Sequence, residues 1–207
     1  MKKVKKGDYG YIRSEKVRRT LKSALFLALP LAFFIFGLII NHGDKKTIYS
    51  VVAVVGCIPA CISIVSMLMM LMRHPMERAL YEEVDARAGD LTMAYELFLT
   101  TYEKNLFLDA TAIGGDYLIA YTSDQKIRQA DVTKMEEHVA NVMKVNGYRT
   151  NVKIYMQKKA FLERMDAMNN KLSDYRAAAN EHFIPYEKYP DLTREEVVKH
   201  LLMAVSL

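Results

Sequence analysis

The sequence has two long stretches that lack any charged side chain. No Asp, Glu, Lys or Arg occurs from Ser23 to Gly43 or from Thr47 to Met72, although charged residues make up 26% of the chain. A buried helix of a soluble protein rarely lacks charge for so long, because its outer face contacts water. At about 1.5 Å per residue, each stretch can cross a hydrocarbon core about 30 Å thick. We therefore predict a transmembrane helical hairpin at residues 23–72.

A cleaved signal peptide is the alternative interpretation of the first stretch. The apolar run is longer than that of a signal peptide, no Ala-x-Ala site precedes Asn41, and a second stretch follows within a few residues. We therefore expect both spans to remain in the protein.

The sequence also lacks the short motifs of common enzymes. It has no phosphate-binding loop, no Gly-x-Ser-x-Gly, no His-Glu-x-x-His, no Cys-x-x-Cys and no kinase signature. Its two cysteines lie in an apolar segment and cannot complete a tetrahedral zinc site. We expect no metal and no cofactor, and the motifs leave open whether the protein is an enzyme.

Positive charge is concentrated in residues 1–22, the predicted basic arm. Of the 29 Lys and Arg residues nine lie there, and of the 24 Asp and Glu residues two, which leaves 20 basic and 22 acidic residues in the rest. Basic residues beside a span stay in the cytoplasm, so we expect a multi-pass plasma-membrane protein with both termini cytoplasmic. The rest lacks the basic excess of a nucleic-acid-binding domain. We expect anionic lipid headgroups as partners, bound by Lys2, Lys3, Lys5, Lys6, Arg13, Lys16, Arg18, Arg19 and Lys22.

Small residues recur at a spacing of four in the second span. Gly56 and Ala60 form one such pair, and Cys57 and Cys61 form another. Small side chains at this spacing let two helices approach closely. We predict that all four serve helix packing, with a redox or metal-binding thiol pair as the alternative for the cysteines.

The fold class predicted from the whole pattern is α+β: the hairpin is followed by a small cytoplasmic domain. Residues 73–104 are predicted to be a helical linker, in which Asp90 caps a helix that carries Leu91, Ala94, Leu97, Phe98 and Tyr102. Residues 105–207 are predicted to be a β-hairpin-α-β-α core with a C-terminal helix. Capping boxes at Thr133 with Glu136 and at Thr193 with Glu196 mark two helix starts.

The predicted β-hairpin turns at Gly114-Gly115, which pairs Ala112 with Tyr117 and Asp109 with Ala120. One face is then apolar, consisting of Leu106, Leu108, Ala110, Ala112, Tyr117, Ile119 and Tyr121. The other face is expected to meet solvent, and it carries Asp109, Thr111, Asp116, Leu118, Thr122, Asp124 and Lys126.

The polar face suggests a second function. Metal-dependent nucleases of the PD-(D/E)xK type place an acid on one strand and Asp/Glu-x-Lys on its neighbour. Asp124 and Lys126 fit the second element, and Asp109 or Glu103 is the candidate for the first. The predicted register separates Asp109 from Asp124 by about 13 Å at the strand rise, too far for one metal ion.

Two functional hypotheses therefore remain. The leading one is a membrane-anchored cytoplasmic interaction or scaffold module that binds a protein partner or itself. The alternative is a membrane-tethered metal-dependent nuclease of degenerate PD-(D/E)xK type.

The residues "GDYGYIRSEKVRRTLKSALFLALPLAFFIFGLII" and "VVAVVGCIPACISIV" resemble a group of uncharacterised two-span membrane proteins of anaerobic Gram-positive bacteria. The resemblance lies mainly in residues 7–72. It implies a two-span topology and carries no activity that could be transferred.

Overall fold

The computed structural model describes residues 4–40, 42, 48–100, 105–181, 183, 185 and 190–206. The chain forms two compact units. The hairpin unit comprises Ile12–Pro75, and the sheet unit comprises Met1–Tyr11 together with Met76–Leu207.

Two helices make up the hairpin unit: α1 is Tyr11–Ile40 and α2 is Ile48–Leu71. Both are long and apolar enough to cross a membrane, as predicted. Most of their large apolar side chains are exposed, from Val17 to Met72. In water such a surface would be strongly unfavourable, whereas lipid tails would cover it.

The two helices pack along a line of small residues. Pro30 and Gly37 of α1 are buried, and so are Ala53 and Ala60 of α2. A Cβ atom added to Gly56 would lie 3.2 Å from Cβ of Pro30. Close approach of the backbones therefore depends on residues without large side chains.

Of the four small residues singled out in the sequence, Gly56 and Ala60 lie along this contact. Cys57 and Cys61 are exposed on α2. The close packing predicted for all four therefore applies to Gly56 and Ala60, and the cysteines are placed away from α1.

The sheet unit has an α+β fold, in agreement with the sequence prediction. In chain order its elements are α3 (Arg78–Asp85), β1 (Thr92–Thr100), β2 (Asn105–Gly114), β3 (Tyr117–Tyr121), α4 (Gln129–Val145), β4 (Asn151–Tyr155), α5 (Lys158–Asn169), α6 (Leu172–Asn180) and α7 (Arg194–Val205). The strand order is β1-β2-β3-β4, with β1, β2 and β3 antiparallel and β4 parallel to β3. A parallel pair needs a crossover connection, and α4 supplies it.

Helices cover the sheet on both faces. Ile113 and Leu118 belong to a buried cluster with side chains of α4 and α7, such as Val139 and Val198. Ala112 and Ile119 belong to a second cluster with Phe161, Met165 and Met168 of α5. The prediction that one hairpin face meets solvent is therefore wrong: Asp109, Thr111, Leu118 and Thr122 are all buried. The cause is that α4 and α7 cover this face of the sheet.

Residues 92–100 form strand β1, although the sequence pattern predicted a helix capped by Asp90. The segment from Ala94 to Leu97 is continuously buried because both of its faces meet helices. A short apolar run of this kind fits both periodicities, so the pattern alone cannot separate strand from helix. The predicted helical linker therefore ends with α3, and Tyr102 lies outside the described residues.

The β2-β3 turn is shifted relative to the prediction. Gly114 pairs with Tyr117 and Ala112 with Ile119, so Gly115 and Asp116 form the turn. Gly115 has φ of +57°, which a type II′ turn requires at its first central position. The pairing register is shifted by two residues. Because side chains alternate between the two faces, each side chain stays on its predicted face but lies opposite a different residue.

One of the two predicted capping boxes differs in the structure, and the other is confirmed. Helix α4 begins at Gln129, and Thr133 lies inside it, with its hydroxyl donating to the Gln129 carbonyl. Glu136 instead accepts a 2.7 Å hydrogen bond from the backbone N–H of Ile154 in β4. The second capping box, Thr193 with Glu196, is confirmed at the start of α7.

Residues 4–10 pack on the sheet unit rather than forming a free arm. The backbone N–H of Tyr95 in β1 donates a 2.9 Å hydrogen bond to the carbonyl of Gly7. The Lys6 ammonium donates to the carbonyl of Met203 at 2.7 Å, near the end of α7. Tyr9 stacks on Tyr81 of α3 with ring centroids 4.0 Å apart. The predicted boundary at residue 22 thus does not divide the structure, because α1 begins at Tyr11.

Candidate functional site

Among the described residues, Asp109 is the more buried of the two acids proposed for a nuclease. It lies in β2 and is 3% exposed. Since Ala110 pairs with Tyr121, Asp109 lies beside Thr122 and not beside Ala120. Its Oδ2 atom accepts a 2.6 Å hydrogen bond from the backbone N–H of Ser123. The strand register used to predict the distance between Asp109 and Asp124 was therefore wrong. The Asp109 carboxylate contacts Ser123, the residue that precedes Asp124.

Burial raises the pKa of Asp109, and hydrogen bonds from Ser123 partly oppose that rise. Repulsion from Glu77 adds to it. A carboxyl group with a raised pKa in a buried position is a common feature of functional sites, but ordinary cores contain them too.

Asp124 and Lys126 lie beyond the end of β3 and are exposed. The Asp124 carboxylate accepts a 3.0 Å hydrogen bond from the backbone N–H of Lys126, which is a local Asx-type turn. Asp109 lies opposite Thr122, directly after the last residue of β3, and β3 itself (Tyr117–Tyr121) contains no acid or lysine. Glu103 lies outside the described residues. Across the described ranges, no three Asp, Glu, His or Cys side chains are grouped so that they could hold a metal ion.

Glu96 is a buried acid that the sequence analysis missed. It lies in β1 between Tyr95, which pairs with Ala110, and Leu97, which pairs with Leu108, so it is across from Asp109. Its φ of +53° is in the left-handed region, and its Oε1 atom accepts a 3.0 Å hydrogen bond from the backbone N–H of Met76. Such backbone strain costs about 1–3 kcal/mol and persists only where surrounding contacts hold it. The sequence analysis assigned this segment to a helix, so it did not identify Glu96 as a buried acid.

A second charged group fixes the β2-β3 turn. Glu195 accepts hydrogen bonds from the Gly115 N–H at 2.9 Å and from two nitrogens of Arg176 at 2.9 and 2.8 Å. Arg194 forms an ion pair of 2.5 Å with Asp116. Burial alone would raise the pKa of Glu195, but the hydrogen bonds from Arg176 and Gly115 outweigh it and lower the pKa. The two acids and two arginines thus form ion pairs beside a cavity of about 350 Å³. These ion pairs indicate a structural role, which is to hold α7 to the β2-β3 turn.

The hairpin unit contains a larger groove, of about 560 Å³. One end is lined by Glu15, Arg18, Arg19 and Lys22 of α1, with Ser63 and Ser66 of α2. The other end is lined by Phe26, Pro59 and Ile62. Of these residues the sequence analysis identified only the three basic ones, as lipid-headgroup contacts. A signal for the rest was present in the serines, which recur at helical spacing within the otherwise apolar second span.

A network of hydrogen bonds orders the polar end of the groove. Glu15 accepts from Arg18 at 2.8 Å and from Arg19 at 3.3 Å. Arg19 also donates to the Ser66 hydroxyl at 3.1 Å. Ser23 bonds the Ser63 carbonyl at 2.8 Å and so joins the two helices at the same level.

Among the other basic residues of the predicted arm, Lys6 is bound to the end of α7. Lys5 and Arg13 are exposed, and Lys16 is half-buried. Lys2 and Lys3 lie outside the described residues. The described residues among those predicted to contact lipid headgroups are therefore distributed over both units.

The chain matches no protein-family model, no curated protein and no solved structure. The arrangement of its own residues therefore carries the functional argument.

Proposed function

We propose that the protein is a membrane-anchored interaction module whose sheet unit lies at the cytoplasmic face of the plasma membrane. The observation that carries this proposal is the packing of residues 4–10, which precede the first span, on strands and helices that follow the second. A unit assembled from both flanks of a hairpin requires both flanks on one side of the bilayer. The concentration of basic residues before the charge-free stretch of α1 supports the cytoplasm as that side.

The proposed partner is a protein or a second copy of the chain. Among the described residues of the sheet unit, Val145 is the exposed large apolar side chain. We therefore expect the sheet unit to bind its partner mainly through polar and charged contacts, which salt weakens when they are exposed.

The test is affinity purification of the full chain in mild detergent at low and high salt. The proposal predicts a stoichiometric partner or a defined self-oligomer at low salt that dissociates as the salt concentration rises. A monomer without partners under every condition would contradict an interaction role.

The nuclease remains the second candidate, and one observation favours it: the buried Asp109 carboxylate of β2 accepts a hydrogen bond from Ser123, in the segment with Asp124 and Lys126. Its test is cleavage of DNA or RNA by the full chain with Mg²⁺ or Mn²⁺. The full chain is needed because residues 4–10 belong to the sheet unit. Metal-dependent cleavage that is lost in Asp124→Ala and Asp109→Asn would support this candidate, and no cleavage by the wild type would eliminate it.

A further inference from the structure

The groove between α1 and α2 is lined by charged residues at one end and by apolar residues at the other. Lys22 is the last charged residue before the apolar stretch of α1, and Phe26 lies one helical turn further along. On α2, Ser66 contacts Arg19 at the charged end. Pro59 and Ile62 lie toward the middle of the span, on the apolar side of the groove.

The charged end has a net positive charge with donors that are not consumed by their internal contacts. Three cations, Arg18, Arg19 and Lys22, surround the single carboxylate of Glu15. A guanidinium has five N–H donors, and Glu15 orients both arginines while using only part of this capacity. The Arg18 side chain is 66% exposed, whereas the Glu15 side chain is 11% exposed. Glu15 therefore lies beneath the two arginines and orients them, while the Arg18 guanidinium faces outward and Arg19 is half-buried.

We propose that this groove is a binding site for one anionic phospholipid. Arg18, Arg19 and Lys22 bind its phosphate, and the first part of an acyl chain lies against Phe26, Pro59 and Ile62. The inference rests on the proposed placement of the hairpin in a membrane. In that placement Lys22 lies at the boundary between headgroups and hydrocarbon, where a phospholipid carries its own phosphate.

Charge and shape together select a lipid over a soluble anion. Arginine and lysine bind phosphate oxygens strongly, and arginine can do so through two parallel hydrogen bonds. A soluble phosphate would satisfy the cations but would leave the apolar end of the groove without an occupant. A phospholipid has both parts in one molecule, with the phosphate and the acyl chains in the order that the groove presents.

A specific binding site differs from the general electrostatic attraction between a basic segment and an anionic membrane surface. General attraction contributes about 1 kcal/mol for each basic residue near the surface, whatever its position. Lys5, Arg13 and Lys16 are also basic, but they do not line the groove. Removing the same amount of charge inside and outside the groove therefore separates the two cases.

The experiment measures retained lipid on the full chain by native mass spectrometry, with phosphatidylglycerol and phosphatidylcholine titrated separately in detergent. The groove variant is Arg18→Gln with Arg19→Gln and Lys22→Gln. The matched control is Lys5→Gln with Arg13→Gln and Lys16→Gln. A third variant, Ile62→Trp, fills the apolar end without changing any charge. Circular dichroism and elution volume check that each variant keeps its helices and its oligomeric state.

We expect the wild type to retain one phosphatidylglycerol in preference to phosphatidylcholine. The groove variant and Ile62→Trp should each weaken that binding about tenfold or more, equivalent to about 1.4 kcal/mol, while the control changes it by less than about threefold. Equal losses in the groove variant and the control would show general attraction and overturn the site. An unchanged affinity in Ile62→Trp would also overturn it.

Inorganic phosphate, added as a competitor, distinguishes the two sources of the ligand. Phosphatidylglycerol should stay bound in its presence, and complete displacement would overturn the assignment to a lipid. Fractionation of cells separates this inference from the proposed function. A protein that is found in the membrane fraction but retains lipid without selectivity contradicts the groove alone, whereas a protein absent from that fraction contradicts the membrane placement itself.

Discussion

Gly7 and Tyr95 are joined by a 2.9 Å hydrogen bond from the Tyr95 N–H to the Gly7 carbonyl, although 88 positions separate them and both long helices lie between. The contact attaches the start of the chain to an edge strand of the sheet, whose free backbone groups would otherwise need another partner. It makes the N-terminal segment a part of the sheet unit.

The stacking of Tyr9 on Tyr81 should stabilise this attachment. An aromatic pair contributes about 0.5–1.5 kcal/mol beyond its buried area, so we expect Tyr9→Ala to loosen residues 4–10 before the sheet itself unfolds. Limited proteolysis should then cut the variant after Lys5 or Lys6 faster than the wild type. Tyr9→Phe keeps the stacked ring and both cleavage sites, and is the control. Unchanged cleavage in Tyr9→Ala, with a different cleavable site monitored in parallel, would show that the stack does not hold the segment.

The contact between α1 and α2 predicts different tolerances at two adjacent positions. Gly56→Leu should destabilise the hairpin because its Cβ would already lie 3.2 Å from the Pro30 ring. Cys57→Leu should have little effect, since Cys57 is exposed on α2. Thermal unfolding of both variants in the same detergent measures the difference. Similar melting temperatures for the two would contradict the arrangement of the helices.

Glu195 should make the sheet unit sensitive to acid. Its folded-state pKa is lowered, so its contribution to stability is fully present above the unfolded-state pKa and is lost as the pH falls through the folded-state pKa. Glu195→Gln should cost about 2 kcal/mol at neutral pH, less than a fully buried pair because Arg176 is partly exposed. The variant should also lose part of the acid-dependent slope. Unfolding by denaturant between pH 7 and pH 3 tests both points, and an unchanged slope would contradict the assignment.

Asp109 should show the opposite dependence. Its folded-state pKa is raised, so between the unfolded-state and folded-state pKa the folded protein binds more protons, and stability falls as the pH rises through this window. Asp109→Asn keeps an oxygen that can accept the Ser123 N–H and removes the buried charge. We expect the variant to be at least as stable as the wild type at neutral pH. A loss of more than about 2 kcal/mol in denaturant unfolding would indicate an ionised carboxylate held by strong contacts.

The parts of the fold that sequence could predict are those with local signals. The two long apolar helices follow from runs without charge, and the start of α7 follows from the Thr193–Glu196 capping box. The incorrect predictions of the fold share a different cause. Strand β1, the turn register and the docking of Gly7 depend on partners that are distant in the chain, such as α7 and the opposite face of the sheet.

Only the α1 side of the candidate groove could be predicted from the sequence, for the same reason. The basic residues of α1 stand out in the sequence, but the groove exists only because Ser63 and Ser66 of α2 lie beside them. Their pairing with α1 comes from the packing of Gly56 against Pro30, and no local pattern states which faces of two apolar helices will meet.

We propose that both flanks of the hairpin lie together in the cytoplasm, and cysteine accessibility in intact cells distinguishes this topology from its reverse. Single cysteines replace Lys5, Lys144 or Asp44 in a Cys57→Ala and Cys61→Ala background, and a membrane-impermeant maleimide is added before and after permeabilisation. Lys5 and Lys144 are exposed positions of the sheet unit, and Asp44 lies in the connection between the spans. We predict that Asp44→Cys is labelled in intact cells, whereas Lys5→Cys and Lys144→Cys are labelled only after permeabilisation. Labelling of either Lys5→Cys or Lys144→Cys in intact cells would contradict the account.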